Sequence, residues 1–125
     1  MKETFFPKNG AKPIAPYSPG TAANGFVFVS GQVGIDPATG KMAEGIEAQT
    51  EQTLKNLLAV LEAAGLSAAD VVKTTVFLAD IKDFAAMNGV YGKVFQGDCP
   101  ARSAFQVACL PGSGTLVEIE AIAAR

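Results

Sequence analysis

Apolar positions along the chain fall into two rhythms. Between Gly45 and Gly65, Ile46, Thr50, Leu54, Leu57, Leu58, Leu61 and Ala64 recur at three and four residues. That spacing predicts an amphipathic helix with one buried stripe. Gly65 followed by Leu66 fits a stop in which glycine turns the chain and leucine clasps back onto the last turn. A second helix is predicted after Asp80, whose carboxylate suits an N-cap. Its core stripe is Phe84, Met87, Tyr91, Val94 and Phe95, with Asn88 on the flank and Gly97 at the end. Gly89 and Gly92 weaken this helix, so its packing must support it.

Strands are marked by β-branched and aromatic runs: Gly25 to Ser30 (GFVFVS) and Val71 to Leu78 (VVKTTVFL). Lys12 to Gly20 carries three prolines and is predicted to be an extended loop, and Asp36 to Gly40 a turn. The tail predicts a hairpin: strands Ser103 to Leu110 and Thr115 to Ala123 around a Pro111 to Gly114 turn. With one or two N-terminal strands, this is a single α+β domain over 1–125, two helices covering one face of a mixed sheet.

Alternation in the tail sorts its side chains. Val117, Ile119, Ala121 and Ala123 share one face, and Leu116, Glu118, Glu120 and Ile122 the other. In the first tail strand, Ser103, Phe105, Val107 and Cys109 oppose Arg102, Ala104, Gln106 and Ala108. If the apolar sets face the helices, Arg102, Gln106, Glu118 and Glu120 lie together on the second face. A turn near Gly112 would set Gln106 opposite Glu118, with Arg102 toward Glu120. Charges among small apolar residues suit a surface that meets another subunit and encloses a polar pocket.

Composition narrows the chemistry. The chain has 125 residues, 49% hydrophobic, a net charge of −2 and no histidine. The missing histidine removes Ser-His-Asp and Cys-His pairs and histidine metal sites. Cys99 and Cys109 form no zinc pattern and read as reduced, non-catalytic thiols of a cytoplasmic protein. The glycines form no dinucleotide fingerprint or phosphate loop. No basic run suggests nucleic acid, and no apolar run is long enough to span a membrane.

Each candidate residue has two readings. Arg102 is a fork for a carboxylate, or the partner of Glu118 or Glu120 in an ion pair. Glu118 and Glu120 are acid–base groups, or part of a solvated sheet face. Tyr17 lines a pocket or simply packs. Gly31, after Ser30, offers a backbone N–H to an anion or serves as a bulge glycine. Asn88 reaches a site or sits at the helix flank. Spacing leaves all of these open.

Over nearly the whole chain, ordered motifs resemble the Rid family of reactive intermediate deaminases, also called YjgF-like. They include Ile14-Ala15-Pro16-Tyr17-Ser18, Val29-Ser30-Gly31-Gln32, Asp36-Pro37-Ala38-Thr39-Gly40 and Ala63-Ala64-Gly65-Leu66. Val72-Lys73-Thr74-Thr75-Val76-Phe77-Leu78, Asp83-Phe84 with Asn88 and Tyr91, Pro100-Ala101-Arg102-Ser103 and Leu116-Val117-Glu118-Ile119 continue them. Arg102 makes the chain most similar to the RidA subgroup.

The resemblance implies a chorismate-mutase-like fold assembled as a homotrimer with clefts between subunits. It implies hydrolysis of 2-imino and 2-enamino acids to 2-oxo acids and ammonia, without metal or cofactor. It assigns the substrate carboxylate to Arg102 and the Gly31 backbone. Water falls to Glu118 and the backbone carbonyl of Ala104, and pocket positions to Tyr17, Ser30 and Asn88. The chain departs from the pattern at Ala104, where many members have cysteine, in a short Gln96 to Cys99 loop, and in a slightly long Pro111 to Gly114 turn. A small-carboxylate binding protein, a ribonuclease or translation inhibitor, and a chaperone are the rival readings.

Overall fold

A computed structural model describes residues 1–10 and 12–125. The strands are β1 (Glu3–Phe5), β2 (Gly20–Ala23), β3 (Phe26–Val33), β4 (Val71–Leu78), β5 (Ala101–Gln106) and β6 (Val117–Ala124). The helices are α1 (Ile46–Ala63) and α2 (Phe84–Val94). The strands form one sheet in the order β1-β2-β3-β6-β4-β5. β4 and β5 run parallel; the other neighbours in this order are antiparallel. The sheet is therefore mixed, as its sequence pattern predicts.

Both helices follow their predicted spacing. In α1, Thr50, Leu54, Leu57, Val60 and Leu61 are buried against the sheet. The stop after α1 has the expected geometry. Gly65 sits at φ 77°, its N–H donates to Glu62, and the Leu66 N–H donates to Leu61. Asp80 does cap, but it caps a 3-10 turn (Ile81–Asp83) that leads into α2, accepting from the Lys82 N–H at 2.9 Å. The core lies between the helices and one sheet face: Val27 and Val29 of β3, Val76 and Leu78 of β4, and Val117, Ile119, Ala121 and Ala123 of β6.

The tail is not a hairpin. β5 ends at Gln106, and among the described residues its only sheet neighbour is β4. β6 lies between β3 and β4. Crossing over through α2 returns the chain parallel to β4, which a tight two-strand turn cannot do. β6 then fills the gap between β3 and β4, where its backbone is bonded on both sides. Alternation reports which residues share a face of a strand. It does not report which strand lies alongside.

One polar residue missed in the α1 stripe holds this arrangement. Gln49 is buried; its side-chain N–H donates to the Gly114 carbonyl, and its carbonyl accepts from the Leu116 N–H, both at 2.8 Å. The connection into β6 is thus fastened to α1 just before Val117. A side chain on Gly34 would run into the Gln49 backbone, so glycine there lets the end of β3 approach α1 closely. Thr53 is also buried, and its hydroxyl has no partner among the described residues.

Gly92 is exposed, and a Cβ there would meet nothing within 4 Å. Gly92→Ala should therefore stabilise the protein by about 0.5–1 kcal/mol, the backbone entropy that glycine forfeits in a helix. Urea unfolding at fixed protein concentration measures this, and a loss of stability would contradict the open surroundings.

Candidate active site

Paired residues on neighbouring strands point to the same side of a sheet, so the registers assign the faces. Arg102 pairs with Thr74 and Ala104 with Val76, and both β4 residues are buried under the helices. Arg102 and Ala104 therefore lie on the helix side. Glu118 pairs with Phe77 and Val33, and Glu120 with Thr75, all on the open side. The expectation that Arg102, Gln106, Glu118 and Glu120 share one face is corrected. In β5 it is Phe105 that faces out, packing edge-on against Phe77 with ring centroids 5.6 Å apart.

Separation adds to the difference in face. Gln106 is not opposite Glu118, nor Arg102 near Glu120, because β4 lies between β5 and β6. Along β4 the partners of Arg102 and Glu118 are Thr74 and Phe77. Two strand spacings across and three residues along put the two backbones about 14 Å apart. Within one chain they form no ion pair and cannot grip one small molecule together.

Arg102 sits over α2. Its Nη1 donates to the Asn88 side-chain carbonyl at 2.7 Å. Its guanidinium carbon lies 4.8 Å from the Tyr91 ring centre and 5.4 Å from that of Phe84. Arg102 is half-buried, and among the described residues it has no acidic partner. The guanidinium can bind a carboxylate, because its remaining donors are uncommitted and the aromatic faces withdraw it partly from water. Phe84 and Tyr91 were read from the sequence as core alone. Their spacing with Asn88, four and then three residues, carried the signal of a shared face.

The other candidates cluster around β3. Its register shifts between Val29 and Gln32, which places Ser30 and Gly31 in a bulge. The Ser30 hydroxyl donates to the Ser18 carbonyl at 2.7 Å, and its N–H donates to Pro19 at 2.9 Å. These bonds tie the loop bearing Tyr17 to the bulge. The Glu118 carboxylate lies over Gly31, in space that any side chain there would occupy. Burial pushes the Glu118 pKa up, and the Glu120 carboxylate on the same face pushes it further. Glu118 is thus a carboxylate made more basic by its surroundings.

A cleft of about 540 Å³ runs between the N-terminal loop, the end of β3 and α1. Tyr17 and Gly31 border it, but Arg102 and Glu118 do not. Asn56 in its wall donates to the Val33 and Ile35 carbonyls. Seven sequence candidates thus resolve into two groups: Arg102, Asn88 and Ala104 at the β5 edge, and Tyr17, Ser30, Gly31 and Glu118 at the β3 bulge. Cys99 and Cys109 are exposed, free thiols. Among the described residues no cluster of His, Cys, Asp or Glu could hold a metal, and no helix is long and apolar enough to cross a membrane.

Comparison with known proteins gives a consistent result. A RutC family protein of Pyrococcus horikoshii is 52% identical over 124 residues, 98% of each chain. A 2-iminobutanoate/2-iminopropanoate deaminase of Salmonella typhimurium is 44% identical over 128 residues, 100% of this chain and 99% of that one. A solved Rid family protein of unknown function from Yersinia pestis superimposes with a TM-score of 0.95 at 43% identity, covering 100% of both chains. The family described as endoribonuclease L-PSP matches residues 8–125. Fold, motifs and relatives agree that the chain belongs to this family, the Rid proteins.

Proposed function

We propose that this protein is a 2-iminobutanoate/2-iminopropanoate deaminase, hydrolysing reactive 2-imino and 2-enamino acids to 2-oxo acids and ammonia. The observation that carries the reading is the Arg102 guanidinium, half-buried on two aromatic rings, held by Asn88 and unpaired with any acid among the described residues. Such a cation is costly to leave unmatched, and a small carboxylate matches it. The deaminase name of the Salmonella relative supports the same substrate class.

The reaction needs little beyond placement. An imino acid is electrophilic at C2. Arg102 and the Gly31 N–H hold its carboxylate. Glu118, with the Ala104 carbonyl, orients a water and accepts its proton as oxygen bonds to C2. That proton passes to nitrogen, giving a 2-amino-2-hydroxy acid; as the C–N bond breaks its hydroxyl proton follows to nitrogen, the C=O forms, and ammonia leaves a 2-oxo acid. An enamine first tautomerises to the imine. Tyr17, Ser30 and Asn88 border the site. Ala104 in place of cysteine leaves this scheme intact because only its carbonyl acts.

One chain cannot assemble this site, since Arg102 and Glu118 lie on opposite faces about 14 Å apart. We therefore propose a homotrimer of chorismate-mutase-like subunits. The β5 edge of one subunit, with Arg102, Asn88 and Ala104, meets the β3 bulge of the next, with Tyr17, Ser30, Gly31 and Glu118. The open sheet face supports this: Phe26, Phe28 and Phe105 are exposed there, an aromatic surface suited to burial against another copy. A nucleolytic reading finds no electrostatic support in a net charge of −2.

Arg102→Ala should lower kcat/KM for an enzymatically generated 2-imino acid by about 100-fold, and Arg102→Lys should restore little of it, because lysine lacks the planar fork. Coupled measurement of ammonia and 2-oxo acid checks this; an unchanged rate would remove the carboxylate role.

Glu118 must be ionised to accept a proton, so activity falls as pH drops through its raised pKa. Glu120→Gln removes the like charge and lowers that pKa. The acidic limb of the kcat/KM profile should move to lower pH, while in Glu118→Gln it should disappear with most of the activity.

A further inference from the structure

Arg102 rests on one prepared face of α2. Phe84, Asn88, Tyr91 and Phe95 are spaced four, three and four residues apart, so they form a single stripe along that helix. The Tyr91 ring lies beneath the guanidinium, with Phe95 tilted against it at 4.7 Å between centroids. The Tyr91 hydroxyl meets the Thr74 hydroxyl at 2.6 Å. Thr74 is fully buried, and its register partner on the neighbouring strand is Arg102 itself. A strand threonine, a helix tyrosine and an edge-strand arginine thus form a closed triangle.

We propose that Tyr91, anchored by Thr74, is a positioning residue that aims Arg102 at the substrate carboxylate. The proposal rests on the carboxylate role given to Arg102 above and adds how that role is prepared. An arginine on a long flexible stem loses rotamer entropy when it binds, and a bidentate carboxylate needs the planar fork in one orientation. The Asn88 bond fixes one nitrogen but still allows the group to swing about that point. A ring face supplies the missing plane. The ring must itself be fixed, and the buried hydroxyl pair fixes it.

The polar pair is hard to explain as packing. On the core side of β4, Thr74 stands among Val76 and Leu78, where valine would fill nearly the same volume. A buried hydroxyl is unfavourable unless bonded, and a phenylalanine at position 91 would pack against an apolar neighbour as well. The pair gains its value from direction, since it sets where the ring sits relative to β5. Burial also pushes the Tyr91 pKa up, so the hydroxyl stays protonated and bonded at neutral pH.

The test measures binding of 2-oxobutanoate by calorimetry beside steady-state turnover of a 2-imino acid. Tyr91→Leu removes the plane and should weaken 2-oxobutanoate binding about tenfold, raise KM by the same factor and leave kcat within about twofold. Tyr91→Phe keeps the ring but frees it from Thr74, so it should recover only part of the affinity. The double variant Thr74→Val/Tyr91→Phe replaces both hydroxyls, so it keeps the fold while releasing the anchor; it should lose affinity severalfold and prefers the carboxylate over the neutral 2-oxobutanamide less than the parent does. It also carries the test should Tyr91→Leu fail to fold, as monitored by circular dichroism. Wild-type affinity in folded Tyr91→Leu or in the double variant, or a loss confined to kcat, would overturn the proposal. Wild-type protein that binds 2-oxobutanoate in a Tyr91-dependent way without releasing ammonia would overturn the deaminase reading alone. Wild-type protein that fails to bind the oxo acid would overturn both the positioning role and the carboxylate role of Arg102.

Discussion

The structure depends on one placement: the last strand lies in the middle of the sheet. β6 pairs with β3 on one side and β4 on the other. Its inner face, Val117, Ile119, Ala121 and Ala123, is buried. A strand bonded on both edges and covered on one face has little freedom to slip, because a one-residue shift would expose every core side chain and bury both glutamates. That register presents Glu118 on the open face, beside the β3 bulge. It also forces β5 to the sheet edge, where Arg102 meets α2.

The consequence is electrostatic. Had β5 and β6 formed a hairpin, Arg102 could have neutralised Glu118 or Glu120. Instead a half-buried cation and a half-buried carboxylate are kept apart, each without a partner of opposite charge among the described residues. Burial and Glu120 make Glu118 more basic, while aromatic faces and Asn88 hold the guanidinium with donors to spare. For Arg102 this is the condition under which a carboxylate ligand would be favoured, as proposed above. The cost is borne by the core, whose Leu54, Leu57, Leu61 and Ile119 are all essentially fully buried.

The α2 stripe joins these two demands. Met87, Tyr91 and Phe95 belong to the core, and Tyr91 is also the floor under Arg102. A helix that both closes the core and seats a charged group transmits packing precision directly to the site. Gln49 plays the corresponding part on the other side. By fastening the connection before β6 to α1, it sets where Val117 enters the sheet and hence where Glu118 points.

The sequence by itself determined the local elements. Periodicity placed both helices, the Gly65 stop and most of the β3, β4 and β6 strands, because a buried stripe is written directly into three-to-four or alternating spacing. Family motifs singled out Arg102, Gly31 and Glu118 as residues of interest. Only the tertiary structure decided how these are grouped. Strand order, the parallel return of β5 and the central position of β6 depend on contacts between distant segments, and alternation is blind to which neighbour supplies them. For that reason Arg102 and Glu118, placed on one face by alternation, stand on opposite faces. For the same reason Thr74 and Tyr91, which spacing alone read as strand and core, meet beneath the guanidinium.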